Sequence, residues 1–249
     1  MARNIAVAGK GGTGKTTFAA LLIRYLLEKG KKSILAVDAD PNANLNEALG
    51  IPVSNFVADI LEEAKDSKGV PPGMTKDMFI EYKLAQALVE TERLDLLVMG
   101  RPQGPGCYCY PNDILRKHLE TLSRNYQYVV IDSEAGLEHI SRRIIQGVEF
   151  LFVLSDATIR GIRSAGRVRQ LVEELQLPIP HMLLVVTRVQ GSLNGLVPEI
   201  ERTGLPLAGT ISFDPLVVEY DALGRPLFDL PSSSLAVRET QRILEGLAL

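Results

Sequence analysis

Long apolar runs are missing from this chain. Its most hydrophobic stretches, such as Val148 to Leu154, are far too short to span a bilayer. The N-terminus shows no signal-peptide pattern, so the expected location is the cytoplasm, with no membrane partner. Excess charge is missing too: 27 Lys and Arg against 30 Asp and Glu leave a formal net charge of −3. That balance gives no electrostatic reason to expect nucleic acid or another polyanion as a partner. Cysteine is scarce, with Cys107 and Cys109 alone, and a reducing compartment keeps both as thiols. No internal repeat is visible. What remains is an ordinary globular composition, 46% hydrophobic and 23% charged over 249 residues, long enough for a sizeable core.

Against that background one stretch stands out. Residues Gly9-Lys10-Gly11-Gly12-Thr13-Gly14-Lys15-Thr16-Thr17 fit the pattern G-x-x-x-x-G-K-[ST] at every fixed position and add a second lysine, Lys10. Glycines let the backbone curl so that its N–H groups point at a polyphosphate. Lys15 then meets the β and γ phosphates, and Thr16 offers its hydroxyl to Mg²⁺. Asn4 to Ala8 reads as a buried strand before the loop, and Thr16 to Lys29, closed by Gly30, as a helix after it. The phosphates therefore sit on a helix N-terminus, where the dipole favours anions.

Further strand-like runs fall at Ser33–Val37, Leu94–Met99, Tyr128–Ile131, Phe150–Leu154, Met182–Val186 and Leu207–Ile211, several separated by helical spacing. Many are nearly continuous in Val, Ile and Leu, as strands covered on both faces are. The expectation is an α/β fold of three layers: a mostly parallel sheet with helices on both faces, forming one domain over 1–249. Lys65 to Gly73 reads as a loop insertion within it. The C-terminal segment Leu235–Leu247 reads as a helix that closes the core, or alternatively as an amphipathic membrane tail, for which it carries little positive charge.

Two carboxylates, Asp38 and Asp40, emerge from the end of the second strand, and Asp132 ends the run Tyr128–Ile131, with Gly136 four residues on. Open α/β sheets bind ligands at such strand ends. The loop with Lys10 and the stretch Asp38-Ala39-Asp40-Pro41 resemble the deviant Walker A ATPases, the P-loop group that includes septum-site, chromosome-partitioning, arsenite-pump and nitrogenase iron proteins. The resemblance implies ATP or ADP as ligand and a homodimer formed with ATP. It also implies that Lys10 crosses to the partner's phosphates and that Asp40 orients the attacking water. Capping of the turn after Pro41 is the alternative use of Asp40. By the same resemblance, Asp38, Asp132 and Thr16 surround Mg²⁺, directly or through water. Gly136 brings backbone near the γ phosphate, and Glu134 receives no role. Thr187 and Arg188 stand where relatives place an Asn-Lys-like pair beside the base. Phe213 and Asp214 are a second candidate lining for that pocket. Adenine over guanine rests on resemblance, and no N-K-x-D motif occurs.

Cys107 and Cys109 sit two residues apart in a Gly- and Pro-rich loop. A sulfur site for zinc or nickel wants about four ligands, so one chain supplies half and a two-fold dimer completes the set. Pro111 suits the first turn of a helix Asn112–Leu122, whose positive end favours thiolates. Inert loop cysteines or a strained local disulfide are the alternatives. With Asp132-x-x-Ala135-Gly136-x-Glu138-His139, the pair makes nearly the whole chain resemble the CooC-type nickel-maturation ATPases, including the AcsF branch. That resemblance implies nickel delivery to a client enzyme, a carbon monoxide dehydrogenase or acetyl-CoA synthase. An iron–sulfur redox ATPase and a positioning ATPase of the MinD/ParA kind are the alternatives. His118, His139 and His181 are assigned no metal.

Overall fold

A computed structural model describes residues 2–63, 70–71, 73–101, 117–133 and 147–247. Among the described residues eight strands form one sheet: β1 (Arg3–Gly9), β2 (Ile34–Asp38), β3 (Val89–Glu90), β4 (Asp95–Val98), β5 (Tyr128–Asp132), β6 (Phe150–Asp156), β7 (His181–Val189) and β8 (Leu207–Ser212). Their spatial order is β3-β4-β2-β5-β1-β6-β7-β8. All neighbours run parallel except β3, which pairs antiparallel with β4. The expected architecture of a mostly parallel sheet between two helical layers is the observed one.

Period-two alternation explains the layers. Along β1, Ile5 and Val7 enter one core while Ala6 and Ala8 enter the other, and β2 divides Ile34 and Ala36 from Leu35 and Val37 in the same way. Both faces are dry, so these strands carry no polar alternation. The first face is covered by α1 (Lys15–Glu28), α2 (Leu45–Leu49) and the C-terminal helices. The second is covered by α3 (Val57–Glu63), α4 (Lys76–Ala87), the helical residues 117–122, and α5 (Ile159–Glu174). After β7 come α6 (Val197–Thr203), then α7 (Pro215–Ala222) beyond β8, and α8 (Leu235–Glu245).

β1 lies between β5 and β6, so the loop leaving it at Gly9 is flanked by the ends of both. α1 is buried along most of its length, with Phe18 against Phe152 at 5.0 Å between ring centroids. Helix α8 packs on β8 and α1, burying Val237, Ile243 and Leu244, which is the core-closing use of that segment. Among the described residues no helix is long and apolar enough to cross a membrane. The insertion Lys65–Gly73 lies largely outside the described residues, as do Asn112 to Arg116 of the helix expected over Asn112–Leu122.

Candidate nucleotide and magnesium site

The loop after β1 is held from inside. Gly9 has φ +148°, and a β-carbon there would lie 2.4 Å from the Leu154 carbonyl oxygen of β6. Gly12 and Gly14 are left-handed at +79° and +78°, the backbone that glycine adopts without strain. Thr13 is buried, and its hydroxyl donates to the Lys10 carbonyl at 2.8 Å. A second clamp comes from far along the chain. The Thr187 hydroxyl on β7 donates to the Thr13 carbonyl at 2.8 Å and shares its proton with the Ser155 carbonyl at 3.2 Å. Lys15 is buried at the start of α1, whereas Lys10, Gly11 and Gly12 are exposed on the loop's outer side.

Asp38 and Asp132 end neighbouring strands in direct register. Thr16 Oγ1 donates to Asp132 Oδ2 at 2.6 Å, which leaves the hydroxyl's lone pairs free. Asp132 Oδ1 is buried without a hydrogen-bond partner. Burial pushes the Asp132 carboxyl up to about 6, although the Thr16 bond and the Lys15 charge pull it down. An orphaned carboxylate oxygen beside a hydroxyl with free lone pairs is a donor set suited to Mg²⁺, which takes one or two carboxylates and keeps much of its water. Asp38 is engaged differently. Its Oδ1 accepts from the Asp40 N–H at 3.0 Å and its Oδ2 from the Leu45 N–H at 2.8 Å, so it tethers the Asp40–Leu45 turn. Burial first, and then the Asp132 charge, raise it to about 7.

Asp40 Oδ1 accepts from both the backbone and the side-chain nitrogen of Asn42, each at 2.9 Å. That is the capping geometry held open as the alternative. Asp40 nonetheless borders the same open cleft as Lys15 and Thr16, a volume of about 990 Å³ that extends between the Asn42–Pro52 stretch and Asp221–Leu227. Sequence reasoning missed Asn46 and Arg225 on its walls, which no local motif marks.

A second cavity, about 230 Å³, opens beside Gly14 and Thr17, and Thr187, Arg188, Phe213 and Asp214 all line it. The structure thus brings the two candidate base linings into one place. Arg188 is left-handed at φ +54°, where the β7–β8 register shifts, and its exposed side chain borders both the cavity and the cleft. The Asp214 carboxylate is committed elsewhere. It accepts from Leu216 N at 3.0 Å, Ala236 N at 3.0 Å and the Ser234 hydroxyl at 2.5 Å, and so caps α7 and α8 together. Burial alone would raise this carboxyl, but those bonds leave it below its ordinary value. The Asp214-Pro215 pair carries the N-cap and N1 signature that marks this role. Cys107, Cys109, Glu134, Gly136, Glu138 and His139 lie outside the described residues. Among the described residues no group of three His, Cys, Asp or Glu side chains is placed to hold a metal.

The chain matches the CobQ/CobB/MinD/ParA nucleotide binding domain over residues 5–227. It is 43% identical over 245 residues to an uncharacterized ATP-binding protein of Methanocaldococcus jannaschii, covering 97% of this chain and 96% of that protein. It is 28% identical to the carbon monoxide dehydrogenase accessory protein CooC of Rhodospirillum rubrum, over 91% of this chain and 89% of that one. Among solved structures, the MinD cell division protein of Aquifex aeolicus superposes with a TM-score of 0.71 at 25% identity, over 99% of this chain and 97% of that one.

Proposed function

From the premise that this chain belongs to the CobQ/CobB/MinD/ParA nucleotide binding domain family, we propose that it hydrolyses ATP with Mg²⁺ and uses the cycle to deliver nickel. The observation that carries the ATPase is the buried, unpartnered Asp132 Oδ1 beside the Thr16 hydroxyl, within the field of the Lys15 charge. Gly11 to Thr17 wrap the phosphates, and Lys15 neutralises charge on the β and γ groups. Thr16 and Asp132 hold Mg²⁺, directly or through water, with Asp38 shaping the site from behind. Mg²⁺ supplies charge neutralisation of the phosphate oxygens. Asp40 positions water through the oxygen not bonded to Asn42, and the base enters the cavity between Arg188 and Phe213. Lys10, exposed on the loop, reaches a partner subunit's phosphates in an ATP-bound homodimer.

Nickel delivery rests on the Cys107-Tyr108-Cys109 pair together with the similarity to the Rhodospirillum rubrum accessory protein. The client is a carbon monoxide dehydrogenase or acetyl-CoA synthase. Nickel, or zinc in its place, is cargo bound by two cysteine pairs across the dimer. Metal analysis of protein prepared with ADP and with a non-hydrolysable ATP analogue tests this. The expected stoichiometry is roughly half a metal per chain, abolished in a Cys107→Ser, Cys109→Ser double variant. Binding that persists in that variant removes the nickel reading and leaves the ATPase standing. The likeness to MinD supports a second reading, a positioning ATPase. ATP-dependent co-sedimentation with lipid vesicles or DNA would favour it.

A further inference from the structure

Thr187, Ser212 and Asp214 line the base cavity, yet their polar atoms are already committed. Thr187 clamps the Thr13 and Ser155 carbonyls, Asp214 caps two helices, and the Ser212 hydroxyl donates to Glu239 Oε1 at 3.1 Å. Thr240 on α8 is different. It forms part of the same cavity wall and is 0% exposed, and its Oγ1 is buried with no hydrogen-bond partner. A threonine inside a helix ordinarily returns its hydroxyl to a carbonyl one turn back, and here that bond is not made. Valine would fill the same space without stranding a polar atom, so the threonine is a liability in the empty protein. A local rule broken at a ligand cavity points to use by the ligand.

We propose that Thr240 is a base-contacting residue: its hydroxyl hydrogen-bonds the polar edge of a purine seated in the cavity between α1 and β8. The inference rests on the nucleotide reading above and adds to it a contact from the C-terminal helix. Threonine in a helix populates two χ1 wells, so a χ1 rotation re-aims Oγ1 with little backbone movement, and the base reaches it as the side chains that now cover Thr240 give way. The bound base then bridges α8, through Thr240, to α1, through Gly14 and Thr17. Nucleotide occupancy is thereby sensed by a helix remote from the phosphates.

Calorimetric titration of wild type, Thr240→Val and Thr240→Ser with ATP and with inorganic tripolyphosphate, all in Mg²⁺, tests this. Thr240→Val is expected to weaken ATP about five- to tenfold, the worth of one hydrogen bond, and to leave tripolyphosphate within about twofold. Thr240→Ser is expected to restore ATP binding. Without ligand, Thr240→Val is expected to melt no lower than wild type. ATP-dependent protection of amides 235–245 from hydrogen exchange should shrink in Thr240→Val. Wild type that prefers ATP to tripolyphosphate, with Thr240→Val binding both as wild type does, overturns the Thr240 contact and leaves the nucleotide site intact. Equal losses for both ligands also overturn it, by exposing a folding defect. Wild type that binds ATP no more tightly than tripolyphosphate removes the base cavity, and the Thr240 contact with it.

Discussion

Gly9 leaves no room for a β-carbon, because the Leu154 carbonyl of the neighbouring strand lies 2.4 Å from where one would stand. Gly9→Ala is therefore expected to lose about 2–3 kcal/mol of stability in urea unfolding, whereas substitution at Gly12, where nothing crowds the site, meets only the φ penalty. The paired carboxylates make a second prediction. Unfolded, Asp38 and Asp132 ionise at about pH 4. Folded, burial delays ionisation of Asp132 to about 6, and burial with the Asp132 charge delays Asp38 to about 7. Within that window the folded state keeps protons that the unfolded state has lost. Metal-free stability should accordingly fall as pH rises from about 4 to about 7, then level off. Asp132→Asn removes part of this slope. It should be more stable than wild type by roughly 1–3 kcal/mol at pH 8 and nearly equal to it at pH 4, and parallel urea curves across that range would contradict the assignment. Lys15 and Thr16 were legible because a phosphate loop imposes a fixed local spacing. The clamp from Thr187 onto Thr13 was not, since 174 residues separate them and no local pattern encodes such a contact.

Most of the individual elements were legible because the parallel strands are dry on both faces and read as continuous apolar runs. The segment β3 was missed because it is a two-residue edge strand formed by a tight return. In that turn the Thr91 hydroxyl and N–H both donate to the Leu94 carbonyl, at 2.6 and 3.2 Å. Strand ends were extended by one to three residues in several cases, as with β7 running from His181 to Val189 rather than from Met182 to Val186. Those extensions matter, since they carry Thr187 and Arg188 within the strand and place the bulge at the cavity. Helix capping gives the prediction at this scale. Asp214 ties the first turns of α7 and α8 to one carboxylate, so Asp214→Ala should lose about 2–3 kcal/mol and loosen both helices. Urea unfolding and amide exchange over residues 215–222 and 235–245 would check it. Stability equal to wild type would leave the double cap without energetic weight.

One sheet of eight strands runs through the described residues, with a core on each face and α1 buried against its centre. We propose on that basis that residues 1–249 unfold as one domain. Thermal unfolding followed by far-ultraviolet dichroism and by tyrosine absorbance should give coincident transitions, and two separated midpoints would divide the chain. Tyrosine is the natural probe, with seven in the sequence and no tryptophan. The placement of β1 carries a consequence for biosynthesis. β1 is translated well before the two strands that flank it, β5, beginning at Tyr128, and β6, beginning at Phe150. Until translation has passed Tyr128, Ile5 and Val7 have no neighbouring strand to join. The nascent segment from β1 to Tyr128 must wait with greasy surface uncovered, which makes it a natural client for holding chaperones during those seconds of synthesis.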